Sequence, residues 1–173
     1  MMKTTVFCAL LWVSILAAGQ PQQAPAAPVP AQILTAKKVF VINAGTDAGA
    51  YPIATFSGEP ERAYDSLYAA MKTWGHYQLV GAPSDADLLI EVRLTVRLGE
   101  VLSGESMNWG EARFRLVIRD PKTQAMLWAM TEQVQNAGLL RNRDKNFDQA
   151  LAKLVARLER LTAPPAAGDS NSQ

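Results

Sequence analysis

Acid–base or nucleophilic chemistry has little to draw on in this 173-residue chain, which carries one histidine, His76, and one cysteine, Cys8. His76 follows Gly75 at a helix end, with no serine, cysteine or carboxylate at a spacing that would make it a recognisable general base. No H-E-x-x-H pair, nucleophile elbow or zinc-spaced cluster occurs, and no cofactor is implied. A hydrolase or transferase would have to assemble its site from distant residues, with Asp47, His76 and Asp85 as the candidates. Folding would then bring at least two of them into one cleft within hydrogen-bond reach. The loop "NAGTDAGAYPIATFSG" stands after a first strand and before a first helix, where many α/β sheets bind phosphates. It lacks both the Gly-Lys-Ser/Thr ending of a P-loop and the spacing of a dinucleotide fingerprint, and so reads as an irregular connection.

Recognition chemistry is better represented. "DLLIEVRLTVRLG" alternates Leu88, Ile90, Val92, Leu94, Val96 and Leu98 with Glu91, Arg93, Thr95 and Arg97. "ARFRLVIRD" alternates Phe114, Leu116 and Ile118 with Arg113, Arg115 and Arg119. Period-two alternation marks half-buried strands. If the two pair, Arg93, Arg97, Arg113, Arg115 and Arg119 share the face away from the apolar side chains. Two readings of that face stay open. It is a solvated surface offset by Glu91 and Glu111, or a contact surface for an acidic protein, peptidoglycan or lipid phosphates, whose oxygens the guanidinium fork fits. The connecting loop "GEVLSGESMNWGE" sets Trp109 among glycines and serines, with few neighbours to bury it, and so offers an indole for a protein or glycan contact.

The stretch "RDPKTQAMLW" reads as a corner. Asp120 and Pro121 suit the first two positions of a type I turn, and the place where such a loop prefers a left-handed glycine is held by Gln124. Trp128 follows in the return strand, on a face that depends on the hairpin register.

Other elements must position these residues. "KKVFVINAG" is apolar on both faces from Val39 to Ile42, as in a strand covered on both sides. "EPERAYDSLYAAMKTWG" spaces Ala63, Leu67, Ala70, Met71 and Trp74 as a helix, with Pro60 in its first turn and Gly75 at its stop. "NRDKNFDQALAKLVARLERL" runs Phe147, Leu151, Leu154, Leu158 and Leu161 along one face of a closing helix. With a short strand at "YQLV", the order is β-α-β-β-β-β-α. The expected fold is α+β: one domain with an open mixed sheet and both amphipathic helices on one face. A right-handed crossover sets the first two strands parallel, and the last three form an antiparallel meander.

The flanks are of another kind. Residues 1–19 carry an early lysine, an apolar run of about 13 residues against the ~20 of a bilayer span, and small residues at a cleavage position near Gly19. They read as an export signal, and no membrane span follows them. Cys8 lies inside that run, too early to be a lipid acceptor, so no thiol chemistry remains after cleavage. Residues 20–36, rich in Pro, Gln and Ala, are expected to form an extended tether, residues 37–162 the domain, and residues 163–173 a disordered tail. The formal net charge of +1 falls to zero once Lys3 leaves with the signal, which argues against a nucleic-acid partner.

The combination "DADLLIEVRL", "RLVIRDPKTQAMLW" and a closing helix near "NFDQAL" resembles a group of small bacterial exported proteins and lipoproteins grouped as domains of unknown function. The resemblance spans residues 37 to 161. More distantly, the element order is similar to small α+β domains of envelope assembly proteins, such as curli-secretion lipoproteins and the amino-terminal domain of the Tol-system propeller protein. The resemblance implies an envelope location and a protein-binding role, and with the export signal the expected location is periplasmic or secreted. It carries no catalytic residues, and the chain departs from the lipoprotein members in lacking their acceptor cysteine. Together the features point to an exported, non-enzymatic binding or assembly module. Its partner would be another envelope protein or an anionic envelope component, met by Arg93, Arg97, Arg113, Arg115 and Trp109. The alternative is the periplasmic hydrolase or transferase built on the dispersed residues above.

Overall fold

A computed structural model describes residues 27–47, 56–58, 60–97 and 111–163. Within them the chain forms α1 (Ala31–Thr35), β1 (Lys38–Asp47), α2 (Arg62–Trp74), β2 (Gln78–Leu79), β3 (Leu88–Arg97), β4 (Glu111–Arg119), β5 (Met126–Val134) and α3 (Leu140–Thr162), with a short 3-10 turn at Pro83–Asp85. The five strands make one sheet in the order β2-β1-β3-β4-β5. β1 runs parallel to both β2 and β3, and β3, β4 and β5 are antiparallel neighbours. This is the mixed open sheet that the crossover and meander predict.

The alternation in β3 and β4 decides which face is covered. Leu88, Ile90, Val92 and Leu94 of β3 and Phe114, Leu116 and Ile118 of β4 are fully buried in one core cluster. α2 packs on β1 and β3, α3 packs on β4 and β5, and the helices touch each other over that face. α2 contributes Ala63, Leu67 and Met71, and stops where Gly75 turns left-handed at φ 67° and donates its N–H to the Met71 carbonyl. α3 contributes Phe147, Leu151, Leu154 and Leu158.

Two expectations are corrected. The tether expected at 20–36 does not extend to its end, since α1 lies inside that span and its Ile33 is fully buried. Val29, in the extended segment before α1, and Ile33 both reach the core, while the Tyr77 hydroxyl donates to the Ile33 carbonyl at 3.3 Å. Burial pushes the Tyr77 phenol up to about 12. Apolar side chains thus dock a segment whose composition reads as a linker, and the element order gains a helix at its start. The second correction concerns β1, which continues past Ile42 to Asp47 through an irregularity between Asn43 and Thr46. Gly45 takes φ 75° there and donates to the Asn43 side chain at 2.9 Å, so residues read as loop extend the ladder.

The corner after β4 forms as the sequence predicts. Asp120 accepts from the Lys122 amide at 2.8 Å, which holds its carboxyl below the ordinary range, and Gln124 adopts φ 59° in the left-handed region. At the same end of the sheet, just before β3, Asp87 accepts from the Lys37 and Lys38 amides at 2.9 and 2.8 Å and ties the start of β1 to that of β3.

Candidate functional site

The sheet has a second face on which no described helix packs. Register fixes its members: Arg93 pairs with Arg115, Thr95 with Arg113, Arg97 with Glu111, and on the next strand Thr131 with Arg115 and Gln133 with Arg113. Arg93, Arg97, Arg113 and Arg115 are exposed. The alternation that buries the neighbouring apolar residues aims these side chains at solvent, so the geometry follows from the strand period.

The five arginines are not equivalent. Arg119 is half-buried, and its Nε lies 3.1 Å from Glu91 Oε2. Arg119 stands opposite Leu89 and Glu91 opposite Val117, so the ion pair crosses a square whose two apolar members are buried despite facing away from the helices. Arg113 meets Glu111 at 3.5 Å in an exposed pair, which contributes little. Among the described residues no carboxylate lies within ion-pair reach of Arg93, Arg97 or Arg115. The balance of the face by Glu91 and Glu111 is therefore only partial. Glu91 is engaged by Arg119, and among the described residues Arg93, Arg97 and Arg115 form no ion pair.

A shallow groove of about 460 Å³ opens on this basic end, lined among others by Arg97, Arg113, Arg115 and Thr131, and continues to Arg157 of α3. Arg157 reaches round the outer edge of β5 and donates to the Thr131 carbonyl at 2.6 Å. On the helix side of the same edge lies a second groove of about 560 Å³, lined by Val29, Leu34, Trp128, Met130, Leu161 and the guanidinium of Arg160. Trp128 stands opposite Ile118, which settles its side of the sheet: it is half-buried against the core and forms a wall of that groove. Trp109 lies outside the described residues.

The residues proposed for catalysis do not converge. His76 stacks on Trp74 with ring centroids 4.8 Å apart and meets Tyr77 edge-on at 4.6 Å. It lies beside the start of β1, because Gln78 pairs with Lys38, whereas Asp47 ends that strand roughly 30 Å away. Asp85 accepts from Ser84 in the turn before β3, and no hydrogen bond joins it to His76.

Sequence reasoning missed one polar cluster. Arg62 of α2 pairs with Asp144 at 2.6 Å and Asp148 at 2.7 Å, and its guanidinium lies 4.3 Å over the Phe147 ring. Asp144 also accepts from the Ser57 amide at 2.9 Å and hydroxyl at 2.7 Å. Desolvation raises the Asp144 carboxyl, but the Ser57 and Arg62 hydrogen bonds outweigh it and hold the group below its ordinary range. The cluster joins α2 and residues 56–58 to α3, and its groups are spent on one another. The only local trace of it in the sequence is Asp144 and Asp148, like charges one turn apart on the helix, a spacing that is mildly unfavourable unless a cation meets them.

No family model and no curated protein matches the chain. Among solved structures it is similar to the PelC dodecamer from Paraburkholderia phytofirmans, at 14% identity over 76% of this chain and 93% of that chain, with a TM-score of 0.49. It is similar to protein XCC0632 from Xanthomonas campestris, of family DUF330, at 17% identity over 76% and 86% of the two chains, TM-score 0.46. It is also similar to lipoprotein GNA1162 from Neisseria meningitidis, at 13% identity over 70% and 99%, TM-score 0.40.

Proposed function

We propose that this protein is an exported, non-enzymatic binding or assembly module of the cell envelope, which meets an anionic partner on the helix-free face of its sheet. The observation that carries the reading is the cluster of Arg93, Arg97 and Arg115 on that face, exposed and without a carboxylate partner among the described residues. In a chain of formal net charge +1 this concentration is local. It gives directional donors for carboxylate or phosphate oxygens while the rest of the surface stays mixed. Trp109, in the segment joining the two arginine-bearing strands, is proposed as the apolar anchor beside them. The dispersal of Asp47, His76 and Asp85 removes the support for the one catalytic site that the sequence offered.

The reading is tested with the purified protein and an acidic envelope protein or anionic vesicles as the probe. Replacing Arg93 and Arg115 together by Ala should weaken binding and flatten its salt dependence, and Trp109→Ala should weaken it with the salt dependence kept. Unchanged affinity of both variants across a range of salt would leave the face a solvated surface.

A further inference from the structure

The outer edge of β5 joins the two grooves, and it is a strand edge with chemistry of opposite kinds on its two sides. Thr131 receives Arg157 on its carbonyl from outside the sheet, so the N–H and C=O of Thr131 point away from β4. In an antiparallel strand the same holds for residues two away, Ala129 and Gln133. These backbone groups form a row that a further strand could continue. Above the row lie Arg113, Arg115 and Thr131, and below it lie Trp128, Leu34, Val29 and Leu161. Successive side chains of an added strand would fall alternately on the two sides.

We infer that β5 accepts a strand from a protein partner, and that this strand alternates acidic with apolar side chains. Its backbone would pair with Ala129, Thr131 and Gln133, its carboxylates would meet Arg113 and Arg115, and its apolar side chains would enter the groove walled by Trp128. A second copy of this chain is a poorer occupant. The β5 side chains on the arginine side are Ala129, Thr131 and Gln133, so self-pairing would offer the guanidiniums no carboxylate. The entering strand must also displace Arg157 from the Thr131 carbonyl. That guanidinium lines both grooves, so once released it stays beside the incoming carboxylates. A charged side chain over an exposed edge is the usual device against indiscriminate strand pairing, and here it would be exchanged for a specific partner. The inference rests on the arginine face being a contact surface and names what that surface receives.

The test uses the full chain and a short synthetic peptide alternating valine with glutamate. Binding is followed by fluorescence polarisation, and amide exchange at Ala129, Thr131 and Gln133 by NMR. The alternating peptide should bind and slow those three amides. N-methylation of one alternate set of its amides should weaken binding at least about ten-fold, because the donors facing β5 are lost, whereas methylation of the other set should leave it unchanged. A peptide of the same composition with valines and glutamates in separate blocks should bind more weakly. If both methylated forms bind as well as the parent and the amides exchange unchanged, the edge is not used and the proposal falls. In that case, loss of binding in the protein with Arg93→Ala and Arg115→Ala would leave the arginine-face reading standing, and retained binding would remove it too. Failure of the alternating peptide to bind overturns the strand proposal, as does slowing of the three amides with protein concentration alone, which would give the edge to a second copy.

Discussion

Arg93 stands directly opposite Arg115 across β3 and β4, on the sheet face that no described helix covers. Like charges in that position are destabilising by a few tenths to about 1 kcal/mol. Arg115→Thr should therefore raise stability by about 0.2–1 kcal/mol at low salt while weakening the binding of an anionic partner. Added salt should stabilise the wild type more than the variant, because it screens the repulsion. Chemical denaturation at two ionic strengths checks both points. A variant that is less stable than wild type would show that Arg115 is held by contacts that stabilise the fold.

Asp144 links folding to acidity. Its depressed carboxyl contributes stability that is present above the unfolded value of about 3.8 and is lost as pH falls through the lower folded value. Asp144→Asn should cost about 1.5–3 kcal/mol at neutral pH, since it removes charged hydrogen bonds from Arg62 and Ser57. The difference between the two proteins should shrink below pH 4 as the wild-type carboxyl protonates. Thermal unfolding from pH 3 to 7 follows it, and a difference that does not change with pH would contradict the assignment.

The two sides of the sheet were legible to different degrees. Alternation in β3 and β4, broken only at Leu89 and Val117, predicts both the buried row from Leu88 to Val96 and the exposed arginines, because a strand has only two faces. Nothing local separates Arg119 from Arg115, although one is paired with Glu91 and the other is not. That distinction depends on which residues the register sets diagonally across the ladder. Trp128 could not be placed for the same reason. The arrangement at Arg62 depends on α2 meeting α3, a contact between residues more than eighty positions apart that no periodicity encodes.

α1 was hidden by composition, since its surroundings are Pro, Gln and Ala. Its packing makes a clear prediction. Ile33→Ala should cost about 2–4 kcal/mol, the usual result of truncating a fully buried aliphatic side chain. A change near zero would restore the tether reading for these residues.

Gln124 holds a left-handed conformation that glycine adopts without strain. Gln124→Gly should stabilise the protein by up to about 1 kcal/mol, less whatever is lost with the Gln124 side-chain bond to the Pro121 carbonyl. A decrease in melting temperature would mean that this bond, rather than backbone strain, governs the corner.

The central claim, that the helix-free sheet face is the binding surface, is tested most directly by site-specific photo-crosslinking in the native envelope. One photoreactive side chain would replace Thr95, between Arg93 and Arg97, and another would replace exposed Ala152 on α3. The account predicts an adduct from position 95 that fades with rising salt and disappears when Arg93 and Arg115 are replaced by Ala, with none from position 152. An adduct from position 152 alone, or one from position 95 indifferent to salt and to both arginines, would contradict it.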